Sequence, residues 1–199
     1  MLAFAAAVFL LIITPGPGVL SAAGFGSAYG FNASLRYVFG LFVGTNLVLI
    51  AVMSGLAAIV LSVPGLRDAL MALSVCYLTF LAAKIALAGS RLGFIEAKSP
   101  PGVTAGVMLQ LINPKAYAVN TSLVTGFGYA PDAFLYEMLT KALIMNAIWI
   151  PIHLAWLFAG VVLHRLNLPL RTQRAINMLM ATSMIGVVAL ALWSAWSLQ

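Results

Sequence analysis

The sequence predicts an all-α, polytopic membrane protein, with six transmembrane helices in a 3+3 inverted repeat and helices one and four broken. Composition comes first. Hydrophobic residues make up 63% of the 199 residues, charged residues 7%, and the mean hydropathy is +1.09. A soluble domain carries about a quarter charged residues and solvates itself through them. Second, apolar runs punctuated by charges and turn residues fill the chain, and at about 20 residues per crossing they allow six spans with short loops. Third, prolines interrupt the first and fourth runs at matching places.

The elements follow in order. The first run extends from about Leu2 to Tyr29 and is interrupted by Thr14-Pro15-Gly16-Pro17-Gly18. Its apolar opening, Phe4 to Ile13, has the character of a signal peptide, but no Lys or Arg precedes Arg36, so it reads as an uncleaved first span. The second is about Tyr37 to Val63, ended by Pro64-Gly65, and the third about Ala69 to Gly89. A polar stretch, Ser90 to Gly102, carries Arg91, Glu96, Lys98 and Pro100-Pro101. Its part from about 91 to 102 reads as a cytoplasmic loop joining halves 1–90 and 103–199 of one membrane domain. The fourth run is about Val103 to Thr125, interrupted at Asn113-Pro114-Lys115. The fifth is about Phe134 to Leu163 with Pro151 inside it, and the sixth about Ala175 to Leu198.

Basic residues set the expected orientation. Arg36, Arg91, Lys98, Arg165, Arg171 and Arg174 fall in the odd loops, whereas Arg67, offset by Asp68 and Asp132, is alone in the even ones. The positive-inside rule then puts both termini outside. Lys84 and Lys141 are expected to snorkel to the interface, and Glu137 and Lys141, four apart, to pair on a helix. The net charge of +6 is spread along the chain without aromatic interleaving, which argues against a nucleic-acid partner. A single cysteine, Cys76, excludes an internal disulfide and a cysteine zinc cluster, and reads as a small buried packing residue.

The breaks carry the candidate site. A proline inside a membrane helix frees carbonyls that lipid cannot satisfy, so such breaks survive where protein or a wet cavity supplies partners. Thr14 and Asn113 each precede a proline and are good N-caps, which predicts a new half-helix at each break. Two half-helix N-termini would then meet near the midplane from opposite sides, with Lys115 between them, an arrangement suited to an anion. The candidate substrate-binding residues are Thr14, Pro15, Gly16, Pro17, Asn46, Asn113, Pro114, Lys115 and Asn146. Pro15 and Pro114 lie 99 residues apart and Asn46 and Asn146 lie 100 apart, a weak internal repeat, and because each half has three spans, an odd number, the second half is expected to be inverted. Asn46 and Asn146 either line the cavity or cross-link helices by hydrogen bonds. His153 reads first as a satisfied interior group, and Gly24, Gly26, Gly30, Gly40 and Gly44 as close-packing positions. Tyr77, Trp149 and Trp156 read as packing or belt residues.

Thr14-Pro15-Gly16-Pro17, then Gly30, Gly40 and Gly44, Tyr77-Leu78, and Asn113-Pro114-Lys115 resemble the LysE/RhtB family of amino-acid exporters in order and spacing over about the first 130 residues. The resemblance implies efflux of amino acids or related small metabolites across the bacterial inner membrane, driven by the proton gradient. Gly18 stands where family members often carry Asp or Asn, and Ala82 where glycine is usual. No cofactor, no metal and no enzymatic activity are expected, because clustered Cys, His and carboxylates are missing. The expected partners are a small-molecule substrate and the lipid bilayer, and the glycine-rich faces permit a homodimer. The alternatives are efflux of a different small solute or ion by the same fold, and a non-transporting membrane scaffold.

Overall fold

The computed structural model describes residues 1–87, 100–130, 132–166 and 168–196. The loop residues Arg91, Glu96 and Lys98, and the side chains of Arg67, Asp68, Lys84 and His164, lie outside the described part. The described residues form nine helices and no strand. These are α1 (Leu2–Ile13), α2 (Pro17–Tyr29), α3 (Phe31–Met53), α4 (Leu56–Ser62), α5 (Pro64–Leu87), α6 (Val103–Ile112), α7 (Pro114–Gly126), α8 (Phe134–Arg165) and α9 (Leu170–Trp196).

By length and composition, α3 and the Phe134–Leu163 part of α8 are able to cross a membrane, and α1 with α2 forms a third such stretch bent by 52°. The polarity of the molecule is inverted relative to a soluble domain. Leu10, Ile50, Leu143 and Leu179 are more than 60% exposed, while Gln110, Asn120, Lys141 and His153 are buried. A hydrocarbon surround stabilises the first set, and internal partners satisfy most polar atoms of the second.

Two apolar clusters lie on either side of the helix breaks. One joins Phe4 and Val8 of α1, Leu49 of α3, Leu123 of α7 and Met145 of α8. The other joins Leu20 of α2, Tyr37 and Leu41 of α3, Leu109 of α6, Trp149 and Leu157 of α8, Leu78 of α5 and Met184 of α9. Glycines let the helices approach closely. A Cβ on Gly106 would strike the backbone of Tyr37 and Leu41 where α6 meets α3, and one on Gly160 the backbone of Ala23 where α8 meets α2. Gly40 and Gly44, expected as packing positions, fit against Val103 and Val107 in the same way. Gly30 differs: its φ of 80° makes it the left-handed turn between α2 and α3.

Three expectations need correction. The second apolar run is not one helix to Val63: Gly55, at φ 77°, ends it after Met53 and starts the short α4, and Pro64 opens α5 as its first residue. Cys76 is exposed on α5 and is not a buried packing residue. Lys141 does not extend outward to snorkel. It is fully buried, with Nζ donating to Glu137 Oε1 at 2.6 Å and to the Val124 carbonyl at 2.7 Å. Glu137 Oε2 in turn accepts the amides of Tyr129 and Ala130. The pair therefore fastens the end of α7 and the chain after it to α8.

Candidate substrate cavity at the helix breaks

The two breaks are built differently. At the first, Thr14 ends α1, and its hydroxyl donates back to the Leu10 carbonyl at 2.6 Å. The expected Thr14 N-cap is therefore not formed. Gly16, in extended backbone, is the N-cap of α2 and Pro17 its first residue, with no side-chain cap. The reason is the second proline: with two prolines in three residues, the helix starts at the later one, where a missing N–H costs nothing. The amides of Gly18 and Val19 open α2 without a capping side chain.

At the second break the expectation holds. Asn113 caps α7 with its Oδ1 accepting the Lys115 amide at 3.1 Å, and Pro114 takes the first position. The Asn113 carbonyl accepts the Ala116 amide. The freed Leu111 carbonyl accepts the Tyr117 hydroxyl at 2.9 Å. Asn113 Nδ2 donates to Gln110 Oε1 at 2.9 Å, and Gln110 Nε2 donates to the Thr45 hydroxyl, so a polar chain ties the break to α3.

Lys115 joins the two breaks. Its Nζ donates to the Thr14 carbonyl at 2.6 Å, and its stem lies over Gly16, where a Cβ would approach Cδ to 2.8 Å and Nζ to 3.1 Å. The ammonium thus rests on the carbonyl end of α1 beside the uncapped start of α2. A cavity of about 70 Å³ opens there, lined by Leu11, Ile12, Thr14, Gly16, Pro17, Gly18, Val19, Thr45, Leu49, Gln110, Asn113, Lys115, Ala116, Val119, Asn120, Met145, Asn146, Trp149 and His153. At about 10–15 Å³ per water centre, that space suits a small solute. No acidic side chain is among those lining it.

Of the predicted residues, Thr14, Gly16, Pro17, Asn113, Lys115 and Asn146 line the cavity, while Pro15, Pro114 and Asn46 do not. Asn46 and Asn146 form a reciprocal pair, each Nδ2 donating to the other's Oδ1 at 2.9 and 2.8 Å and to its own helix's carbonyl, of Phe42 and Ala142. Both amides are thereby spent on cross-linking α3 to α8. His153 is buried and stacked on Trp149, with ring centroids 3.5 Å apart. Its Nδ1 meets the Trp149 carbonyl at 3.0 Å, so in the neutral ring Nδ1 carries the hydrogen and Nε2 is left as an acceptor near Gly18. Trp149, 5% exposed, is a cavity wall and no belt residue.

Sequence reasoning missed Gln110, Thr45 and Asn120. The available signal was their polarity inside apolar runs, with Gln110 one helical turn before the break. Among the described residues, no group of three or more His, Cys, Asp or Glu is placed to hold a metal ion.

The chain matches the family model for the LysE type translocator over residues 9–195. No curated protein and no solved structure matches it. With the match covering nearly the whole chain and both broken helices, this multi-pass helical membrane protein belongs to the LysE type translocator family.

Proposed function

We propose that this chain is a secondary transporter that exports an amino acid, or a related small metabolite bearing a carboxylate, across the bacterial inner membrane. The chain crosses six times, as α1 with α2, α3, α5, α6 with α7, α8 and α9, in two inverted halves with both termini outside. Two features support the inversion. The reciprocal Asn46–Asn146 pair relates α3 to α8 as equals. The first half of one broken span shares a layer with the second half of the other, α1 with α7 and α2 with α6.

The carrying observation is Lys115 at the uncapped start of α2. Lys115 is half-buried, and a cation at the centre of a membrane span costs about 2.5–3.5 kcal/mol and is found facing cavities or partners. Its one partner here among the described contacts is a backbone carbonyl, which neutralises no charge. A carboxylate entering the cavity gains the ammonium and the free amides of Gly18 and Val19 together, a helix-start anion site with a full charge added. The cavity supplies no carboxylate for proton coupling; Lys115 and His153 are the titratable side chains that line it, and coupling runs through one of these or the solute.

Efflux from whole cells and proteoliposomes against a panel of amino acids, their lactones and dipeptides tests the reading. A hydrogen bond to a charged group contributes about 1.5–3 kcal/mol. Lys115→Met is therefore expected to raise KM for the exported solute by about 10- to 150-fold. A normally folded Lys115→Met protein exporting with parental KM and rate would refute it.

A further inference from the structure

Asn120 is a polar side chain that takes no part in the caps of the two breaks. It lies on α7 and is only 3% exposed. Its Nδ2 donates to the Ala116 carbonyl of its own helix at 2.7 Å. That bond fixes the amide's orientation, because a carbonyl can accept only from the NH₂ side. The Oδ1 is then buried and has no hydrogen-bond partner, yet Asn120 lines the cavity that holds Lys115. A buried amide oxygen left unpaired is destabilising, and a donor arriving in the cavity relieves that.

The company Asn120 keeps says what kind of donor. Asn120 and Lys115 both belong to α7 and line the same cavity. A small α-amino acid brings a carboxylate for the ammonium and an N–H for the amide oxygen. Lys115 and the amides of Gly18 and Val19 supply donors to the cavity. Asn120 Oδ1 supplies an acceptor with no hydrogen-bond partner of its own, and Val119, Leu49 and Met145 add apolar lining.

We propose that Asn120 is a specificity-determining residue whose Oδ1 accepts an N–H from the substrate, so that the site selects a small zwitterion over the same carboxylate without its amino group. The proposal rests on the transporter reading and adds an acceptor for the amino group to it.

Calorimetric binding to the purified full-length protein, using alanine with propionate, serine with 3-hydroxypropionate and homoserine with 4-hydroxybutyrate, is the test. The parental protein is expected to bind at least one amino acid ten-fold or more tighter than its deaminated partner. Asn120→Leu is expected to abolish that preference by weakening the amino acid alone. Asn120→Asp, which keeps an acceptor oxygen in place and serves if the leucine variant fails to fold, is expected to retain it. A preference that survives in Asn120→Leu, or equal weakening of both members of a pair, overturns the role of Asn120 and leaves the carboxylate site standing. A parental protein that binds neither member of any pair overturns both readings.

Discussion

The Asn46–Asn146 pair gives a sharp test of how the molecule is held together at its centre. Every N–H of both amides is used, two across the helix pair and one back to each helix's own carbonyl. Interhelical hydrogen bonds in membranes average about 0.6 kcal/mol and reach about 1.7. Two reciprocal bonds therefore predict a coupling energy of about 1–3 kcal/mol. Asn46→Leu should cost at least that much, because it also leaves the Asn146 oxygen and one N–H without partners, about 1–3 kcal/mol for a buried group. The double variant Asn46→Leu/Asn146→Leu should cost little more than either single one, since both ends of the interaction go together. Equilibrium unfolding in mixed micelles, titrated with a denaturing detergent, measures all three. Independent sites add to within about 0.3–0.5 kcal/mol. Additive single costs within that range would refute the cross-link, and a shift in KM with unchanged unfolding would return these amides to solute binding.

Gly16→Ala tests the seat of Lys115. A Cβ would come within 2.8 Å of the lysine Cδ, so the side chain must swing off the Thr14 carbonyl; efflux KM should rise several-fold with the unfolding midpoint unchanged, and a parental KM would show that the seat is dispensable. Lys141→Met probes the buried Glu137–Lys141 pair. It should lower the thermal midpoint in detergent and expose residues 127–130 to protease, because the α7 terminus and the Glu137 carboxylate both lose their ammonium. Glu137→Gln in the same chain should recover part of the loss, and an unchanged midpoint in Lys141→Met would remove the pair from the fold's supports.

The legible features were those encoded in composition and in single strong residues. Long apolar runs announced α3 and α8, and Asn113-Pro114 announced a capped half-helix that forms as expected. The failures arise where the outcome is decided by competition between neighbours. Thr14 is as good a cap as Asn113 by residue type, but Pro17 follows Pro15 by two residues and moves the helix start beyond its reach. Lys141 looked able to snorkel because it lies near an apparent span end, but the folded α7 terminus covers it and offers Val124's carbonyl. Cys76 is apolar among apolar neighbours, and no local pattern distinguishes a helix face turned to lipid from one turned to protein. Lipid is as favourable a surround as a core for such a side chain, so periodicity is weak.

The two breaks are inequivalent, and the proposed site rests on that difference. Asn113 spends its side chain on its own helix start and on Gln110, so α7 offers an incoming anion little of its N-terminal field. Gly16 has no side chain to spend, and α2 keeps its first amides free. The capped helix instead contributes Lys115, which reaches back across to the uncapped one. Gly18 extends the same logic. A side chain there would begin 3.4 Å from His153 Nε2 and 3.5 Å from Gln110 Nε2. At this place the chain brings polar atoms in from α8 and α6 and keeps the backbone bare. With glycine at position 18 and no acidic side chain among those lining the cavity, the ammonium has no acidic neighbour there, and under the proposed function that charge is what an anionic solute would read.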